Sequence, residues 1–141
     1  MNKTYEWSAF ILRIVLGITF FVHGLVKFQG GVENTAGWFA SIGLPGFLAY
    51  TVAFIELVGG IALVLGLGTR IVSALLGLVM IGAILKVKLA AGFLGNGQSA
   101  GYELDLALLA MAASLAITGS RLYAADQLMS KGRESKNEVL N

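Results

Sequence analysis

The groups in this sequence that could do chemistry are a few ionisable side chains inside strongly apolar segments. Arg13, His23 and Lys27 lie within a run of Leu, Ile, Val and Phe that extends over Ala9–Phe28, and Glu56 lies near the middle of a second apolar run. A charge at the centre of a bilayer costs ~2.5–3.5 kcal/mol on insertion scales, so a spanning helix keeps one only with a partner or a use. We therefore treat these side chains as candidates for proton transfer or ligand binding.

The polar residues of the first apolar run fall on one side of the predicted helix. Five positions recur at helical spacing: Arg13, Gly17, Phe20, Gly24 and Lys27. His23 lies one turn before Lys27. This face is too polar for lipid, so we expect it to turn inward, towards acidic residues on the other helices.

Two groups of candidate site residues follow. Glu56 and His23 are the candidate catalytic residues, because both can take up and release a proton. The candidate ligand-binding residues are Arg13, Lys27, Lys86, Glu103 and Asp105. With one histidine and no cysteine, the sequence predicts no metal site.

Structural explanations of the same residues stay open. Lys27, Lys86 and Lys88 could extend their ammonium groups to the lipid headgroups. Glu103 and Asp105 could be the acidic residues that a helix N-terminus favours. A lone histidine is often only packed and hydrogen-bonded, whereas a carboxylate in mid-span must be paired, protonated or part of a site.

Composition and hydropathy predict an all-α integral membrane protein, a four-helix bundle. The chain is 57% hydrophobic and 13% charged, against ~25% charged residues in an average soluble domain. Four segments are apolar enough to form spans, at about 9–28, 47–66, 71–91 and 103–119. Glycines inside these segments favour close helix packing. We expect one membrane domain over residues 1–126 and a polar, disordered tail over 127–141.

The basic residues of the connections predict the orientation of the bundle. Lys3, Arg70, Arg121 and the basic residues of the tail lie on one side, so both termini are expected in the cytoplasm. The first segment reads as a retained span rather than a signal peptide. We therefore expect a multi-pass protein of the cell membrane. The absence of cysteine excludes disulfides, Fe–S clusters and CxxC redox chemistry, and no basic stripe suggests nucleic acid.

This orientation predicts that most of the candidate residues gather in the outer half of the membrane. The residues expected there are His23, Lys27, Lys86, Lys88, Glu103 and Asp105. Glu56 is deeper, roughly 15 Å below the outer end of its helix at ~1.5 Å per residue, and Arg13 is nearer the cytoplasm.

The order of short motifs along the chain resembles the DoxX family of small membrane proteins. The resemblance begins with R-x3-G at Arg13, H-G-x2-K at His23 and E-x2-G-G at Glu56. It continues through a further set of positions: Gly43-Leu44-Pro45, Leu65-Gly66, Arg70, Met80, Ala83, Glu103, Gly119, Tyr123 and Asp126. It covers about residues 9–126. Family members often have a histidine near the outer end of the third helix, where this chain has Lys86 and Lys88.

The resemblance implies a four-helix membrane bundle with a role in redox chemistry. Family members include a quinone-reducing subunit of thiosulfate oxidation and proteins linked to oxidative, thiol or catechol stress, and several act with soluble partners. Quinone is accordingly the expected cofactor. The expected partners are the lipid bilayer and a soluble redox or sulfur-metabolism protein, and a homo-oligomer stays open.

Three functions are compatible with these residues. The first is a quinone-linked oxidoreductase or its membrane subunit, which would need a bound quinone or flavin, or a partner, because no residue of this chain carries electrons by itself. The second is a non-enzymatic scaffold or chaperone that recruits a soluble enzyme. The third is a carrier for a small anionic or aromatic compound.

Overall fold

The computed structural model describes residues 2–140, and its regular elements are all helical. Six α-helices follow one another: α1 (Lys3–Gln29), α2 (Val32–Ser41), α3 (Phe47–Leu65), α4 (Thr69–Ala83), α5 (Glu103–Thr118) and α6 (Ala125–Leu140). A π-helical turn (Ile84–Lys88) and a 3-10 turn (Leu89–Ala91) continue α4. The all-helical prediction is confirmed.

Three helical stretches are long and apolar enough to cross a membrane: α1, α3 and the continuous stretch Thr69–Ala91. Helix α5 has 16 residues, which rise about 24 Å, against the ~30 Å of a hydrocarbon core. The fourth span therefore stays a prediction. Membrane character itself agrees with the large apolar side chains exposed along these helices, among them Ile11, Ile18, Phe54 and Leu78.

Glycines bring the backbones of α1 and α3 into direct contact. A methyl group at Gly24 would lie 2.5 Å from the amide nitrogen of Leu57, and one at Gly17 would lie 2.9 Å from the carbonyl oxygen of Gly60. Gly60 in turn faces the backbone of Phe21. Small residues permit such close approach in membrane bundles, so α1 and α3 form one tightly packed pair.

Helices α4 and α5 form the second pair, and one apolar core joins the two pairs. Core side chains from all four helices are buried: Ala9, Leu16, Phe20, Leu63, Leu76, Met80, Leu108, Ala112 and Leu115. On α5 the buried positions recur every three or four residues, which is the spacing of one helical face. This core fixes which residues of each helix face inward.

The two ends of the bundle are closed differently. At the loop end, which carries α2 and residues 92–102, Val32 and Phe39 of α2 pack on Ala49 and Ala53 of α3. Helix α2 ends before Gly43, which has a φ of 84°. At the terminal end, where α1 begins and α5 ends, residues 119–124 run back across the bundle and contact Arg13.

The C-terminal stretch differs from the expectation of a disordered tail. Residues 125–140 form helix α6, and none of its residues is buried. Many of its residues, including Gln127, Leu128, Lys131 and Glu134, have high or moderate helix propensity, so local preference is enough to explain a helix that makes little contact with the bundle.

Candidate functional site

The centre of the candidate site is a buried ion pair between α1 and α3. The ammonium Nζ of Lys27 donates to Oε2 of Glu56 at 2.6 Å. The Glu56 side chain is 4% exposed and that of Lys27 is 25% exposed. Because α1 and α3 run antiparallel in backbone contact at Gly24 and Leu57, Lys27 arrives beside Glu56 without extending to the headgroups. The alternative that Lys27 only reaches for headgroups is therefore wrong.

This pairing also decides the partner of the mid-span carboxylate. The sequence left Glu56 between Arg13 and the outer cluster, and the structure pairs it with Lys27. Glycines near Glu56 do not leave room for a ligand. Gly60 faces the backbone of α1, and a methyl group at Gly59 would touch Val72 and Leu76 at 3.4 Å. The space beside these two glycines is filled by neighbouring helices.

His23 lies one helical turn from Lys27 and is half-buried. Its ring packs edge-on against Phe20, with 6.3 Å between the ring centroids. Within residues 2–140 its ring nitrogens make no hydrogen bond to protein atoms. The ring thus lies near the Lys27–Glu56 pair along α1, and its nitrogens are available for hydrogen bonds to a ligand or water. The proposed role of His23 in proton transfer stays a prediction.

A second ion pair joins the end of the α4 stretch to the start of α5. Nζ of Lys88 donates to Oδ1 of Asp105 at 3.0 Å, with side chains 28% and 5% exposed. Lys88 is the last residue of the π-helical turn. A π-turn inserts one extra residue into a helix and is often found at functional sites. Lys88 faces α5, while Lys86 is exposed.

Two of the sequence candidates lie outside the bundle interior. Lys86 and Glu103 are both exposed, and neither belongs to an ion pair in the described residues. The expectation that Glu103 faces Glu56 inside the bundle is wrong, because Asp105, two residues later, occupies the inward face. Their proposed ligand-binding roles stay predictions.

Arg13 is fully buried at the terminal end of the bundle. Its Nη1 donates to the Ser120 hydroxyl at 3.2 Å and its Nη2 to the Tyr123 carbonyl at 3.1 Å. The guanidinium also lies 5.2 Å from the centre of the Phe10 ring. No carboxylate lies within ion-pair distance of it in residues 2–140. These contacts make Arg13 a link between α1 and the segment after α5, far from Glu56.

Sequence reasoning missed Lys88 as a site residue and missed the partners of Arg13. α-Helical spacing already places Lys88 on the face of Gly77, which packs against Leu109 and Ala112 of α5, so this signal could have indicated Lys88. Ser120 and Tyr123 lie after the last predicted span, and their contact with Arg13 depends on how the chain turns back. The Gly119 turn, with a φ of 69°, is the one local signal that could have indicated it.

Comparisons with known proteins bear on the same residues. The sequence profile of the DoxX family matches residues 8–89, which include Arg13, His23, Lys27, Glu56 and Lys88. The chain belongs to the DoxX family. A Bacillus subtilis (strain 168) protein named "Putative oxidoreductase CatD" is 50% identical over 97% of this chain and 98% of its own length. The resemblance seen in the sequence is confirmed.

Two further relatives of this DoxX protein are named as membrane proteins. An uncharacterized membrane protein of Mycobacterium tuberculosis is 32% identical over 88% of this chain and 82% of its own. An inner membrane protein of Escherichia coli (strain K12) is 28% identical over 93% of this chain and 98% of its own. No solved structure matches the chain.

In this DoxX bundle the loop half holds the groups that can do chemistry. Each helix pair places a lysine against a buried carboxylate there, Lys27 with Glu56 and Lys88 with Asp105. An ammonium can donate to a carbonyl or carboxylate oxygen of a ligand, and a carboxyl group can deliver a proton. The arrangement suits a neutral ligand that accepts hydrogen bonds and is protonated.

Proposed function

We propose that this DoxX protein is a quinone-linked redox component of the cell membrane and acts as the membrane subunit of an oxidoreductase. The observation that carries the proposal is the buried Lys27–Glu56 pair with His23 one turn away. The name of the Bacillus subtilis relative, which includes the word oxidoreductase, supports the same class of activity.

The donor set around Lys27 fits a quinone headgroup. Lys27 has three N–H donors and its side chain is 25% exposed, so one N–H can hold Glu56 while another donates to a quinone carbonyl. Since helices fill the space at Gly59 and Gly60, a headgroup would bind at the partly exposed side of Lys27 and His23, not beside those glycines. When bound, a quinone would supply an acceptor for two electrons and two protons. Glu56 and His23 would hold and pass the protons.

The electrons come from outside this chain. None of its side chain types carries electrons by itself, so a soluble reductase or a flavin-bearing partner supplies them. We also propose that four spans cross the membrane with both termini in the cytoplasm, so α6 lies on the side where a soluble partner would bind.

Helix α6 favours a second candidate function, a scaffold for a soluble enzyme or a homo-oligomer contact. All its residues lie outside the core, and four large apolar side chains are 65–84% exposed: Leu128, Met129, Val139 and Leu140. Exposed apolar residues grouped on one helix are typical of an interaction surface. In this function the protein recruits an enzyme and the ion pairs serve only the fold.

A binding experiment on purified protein tests the quinone proposal. Detergent-purified protein is extracted for lipids, and binding of decylubiquinone is measured on protein reconstituted in nanodiscs. Glu56→Gln keeps the size of the side chain but removes its charge and its exchangeable proton. We expect this variant to insert normally, to bind decylubiquinone at least tenfold more weakly, and to lose protection against quinone or oxidant stress in cells that lack the native protein.

Glu138→Gln is the control, because Glu138 is an exposed acid of α6 outside the bundle and outside the candidate site. It should bind decylubiquinone as the native protein does. If Glu56→Gln lowers the amount of folded protein instead, Glu56 is structural. If both variants bind decylubiquinone as tightly as the native protein does, the quinone proposal is wrong and the scaffold function remains. A soluble protein that co-purifies in stoichiometric amount would support the scaffold function.

A further inference from the structure

The Asp105 carboxylate has one oxygen that the fold does not use. Oδ1 accepts from Lys88, whereas Oδ2 is buried and has no hydrogen-bond partner among the atoms of residues 2–140. The residue as a whole is 4% exposed. Buried polar atoms are normally hydrogen-bonded, and an exception calls for an explanation such as a catalytic role. An open carboxylate oxygen is a place where a proton can be held.

The Lys88–Asp105 pair is not needed to hold α5 against the α4 stretch. The amide of Tyr102 donates to the Gly92 carbonyl at 3.2 Å and that of Glu103 to the Phe93 carbonyl at 3.1 Å. Gly101 is packed so closely that a methyl group would lie 2.5 Å from the Gly92 carbonyl oxygen. Backbone contacts therefore already fix this end of α5, and the ion pair is free to serve another purpose.

The bundle is chemically asymmetric along its axis. On the terminal side of Glu56 the interior is mainly apolar, with Leu16, Leu63 and Leu115 fully buried, and besides Arg13 its buried polar side chains are the hydroxyls of Thr69, Ser73 and Ser120. The ionisable side chain buried there within the described residues is Arg13, and an arginine does not release its proton in proteins. No ionisable side chain can pass a proton to Glu56 from that side.

The loop side of Glu56 is lined with groups that can exchange protons. The ionisable residues on or near this half are His23, Lys27, Glu33, Tyr50, Lys86, Lys88, Tyr102, Glu103 and Asp105. Those that contact a buried carboxylate are Lys27, on Glu56, and Lys88, on Asp105. Both lysines are about a quarter exposed, so each pair reaches from the interior to the surface.

Helix register gives the axial offset between the two carboxylates. Gly59 of α3 is level with Val72 and Leu76 of α4, and Gly77 of α4 is level with Leu109 and Ala112 of α5. Glu56, three residues before Gly59, is therefore level with about residue 110 of α5. Asp105 lies roughly five residues closer to the loop end, or about 7 Å of helix rise. Along the bundle axis, Asp105 therefore lies between Glu56 and the loop end.

We propose that protons reach Glu56 from the loop end of the bundle and that Asp105 is the residue that takes them up. Oδ2 of Asp105 accepts a proton from the solution at the loop end, and this O–H then gives the proton through water to the Glu56 carboxylate. Asp105 returns to its ionised form, paired with Lys88. This deepens the proposed function, because it assigns the side of the membrane from which a proton-consuming reaction at Glu56 is supplied.

The test follows the protonation of Glu56 directly, without a quinone. The protein is reconstituted in liposomes in a single orientation, which accessibility of a tag after Asn141 reports. The pH is changed on one face with an impermeant buffer while infrared difference spectroscopy records the carboxyl bands, and the Glu56 band is the one lost in Glu56→Gln. We expect it to follow the pH at the loop end and to ignore the pH at the terminal end. A Glu56 band that responds from the terminal end overturns the proposal.

Variants test the part played by Asp105. Asp105→Asn should slow proton exchange at Glu56 at least tenfold, Asp105→Glu should restore most of it, and Glu138→Gln, a change of an exposed acid on α6, should leave it unchanged. Native exchange rates in Asp105→Asn would exclude Asp105 as the uptake residue. If Asp105→Asn fails to insert, the comparison of the two faces in the native protein still decides the side of uptake. This test and the test of the proposed function can fail independently, because Glu56 can exchange protons from the loop end in a protein that binds no decylubiquinone.

Discussion

At the scale of single residues, the buried charges divide into two kinds according to their partners. Lys27 and Lys88 face carboxylates, so their charges are neutralised inside the bundle. Arg13 faces only neutral acceptors, the Ser120 hydroxyl and the Tyr123 carbonyl. An arginine spreads its N–H groups over a rigid planar fork and so reaches two separate acceptors, whereas the donors of a lysine all lie on one compact ammonium. Arg13 is therefore explained as a structural link, in contrast to the ligand-binding role predicted from its position in the sequence.

A conservative substitution tests this view of Arg13. Arg13→Lys keeps the charge but can reach only one of the two acceptors, so we expect it to destabilise the bundle by ~1.5–3 kcal/mol, the value of one hydrogen bond to a charged group. The measurement is unfolding by sodium dodecyl sulfate in mixed micelles. Arg121→Lys is the control, since Arg121 is exposed and makes no side-chain hydrogen bond in the described chain. Equal stability of the two variants would contradict the link.

At the scale of helices, the backbone contact between α1 and α3 governs the geometry of the site. Lys27 meets Glu56 because Gly24 and Gly60 let the two helices touch. The sequence predicted the helices, their inward faces and the close packing, since apolar spacing and glycine content are local properties. It could not predict the π-helical turn at Ile84–Lys88, because hydropathy and helix propensity do not distinguish a π-helical turn from a continued α-helix.

Two glycine substitutions separate this contact from general helix effects. Gly24→Ala would place a methyl group 2.5 Å from the Leu57 nitrogen, so the helices must move apart, and we expect a loss of ~1–3 kcal/mol. Gly82→Ala meets no atom within 4 Å and should be neutral or stabilising by up to ~1 kcal/mol. Unfolding midpoints in micelles measure both. If the Gly24→Ala protein is as stable as the Gly82→Ala protein, α1 and α3 are less closely packed than the contact between Gly24 and Leu57 indicates.

Truncations test the independence of helix α6 from the bundle. A chain ending at Gln127 keeps Ser120 and Tyr123 and also keeps Asp126, whose carboxylate accepts from the Gly68 amide at 2.7 Å. Since α6 has no buried residue, this chain should melt within a few degrees of the native protein. A chain ending at Gly119 loses all of these contacts and should yield much less folded protein in the membrane. Fluorescence-detected size-exclusion chromatography measures both yields.

At the scale of the whole molecule, the distribution of charge along the bundle axis is the main feature. Basic residues outside the bundle gather at the terminal end, and paired lysines and carboxylates gather at the loop end. We therefore expect alkaline phosphatase, which is active only outside the cytoplasm, to be inactive when fused after Asn141 and active when inserted at Gly97. An active alkaline phosphatase fusion after Asn141 would show that the bundle has the opposite orientation in the membrane.

The link between Arg13 and the segment after α5 also has a consequence for biosynthesis. Arg13 enters the membrane early in translation, yet its partner Ser120 is 107 residues further along the chain. At ~5–20 residues per second, the ribosome needs roughly 5–20 s to synthesise that interval. Throughout this time the guanidinium must be sheltered by the insertion machinery or held near the headgroups. The bundle can close only after Ser120 has emerged from the ribosome. Assembly of this protein is therefore completed by the C-terminal part of the chain.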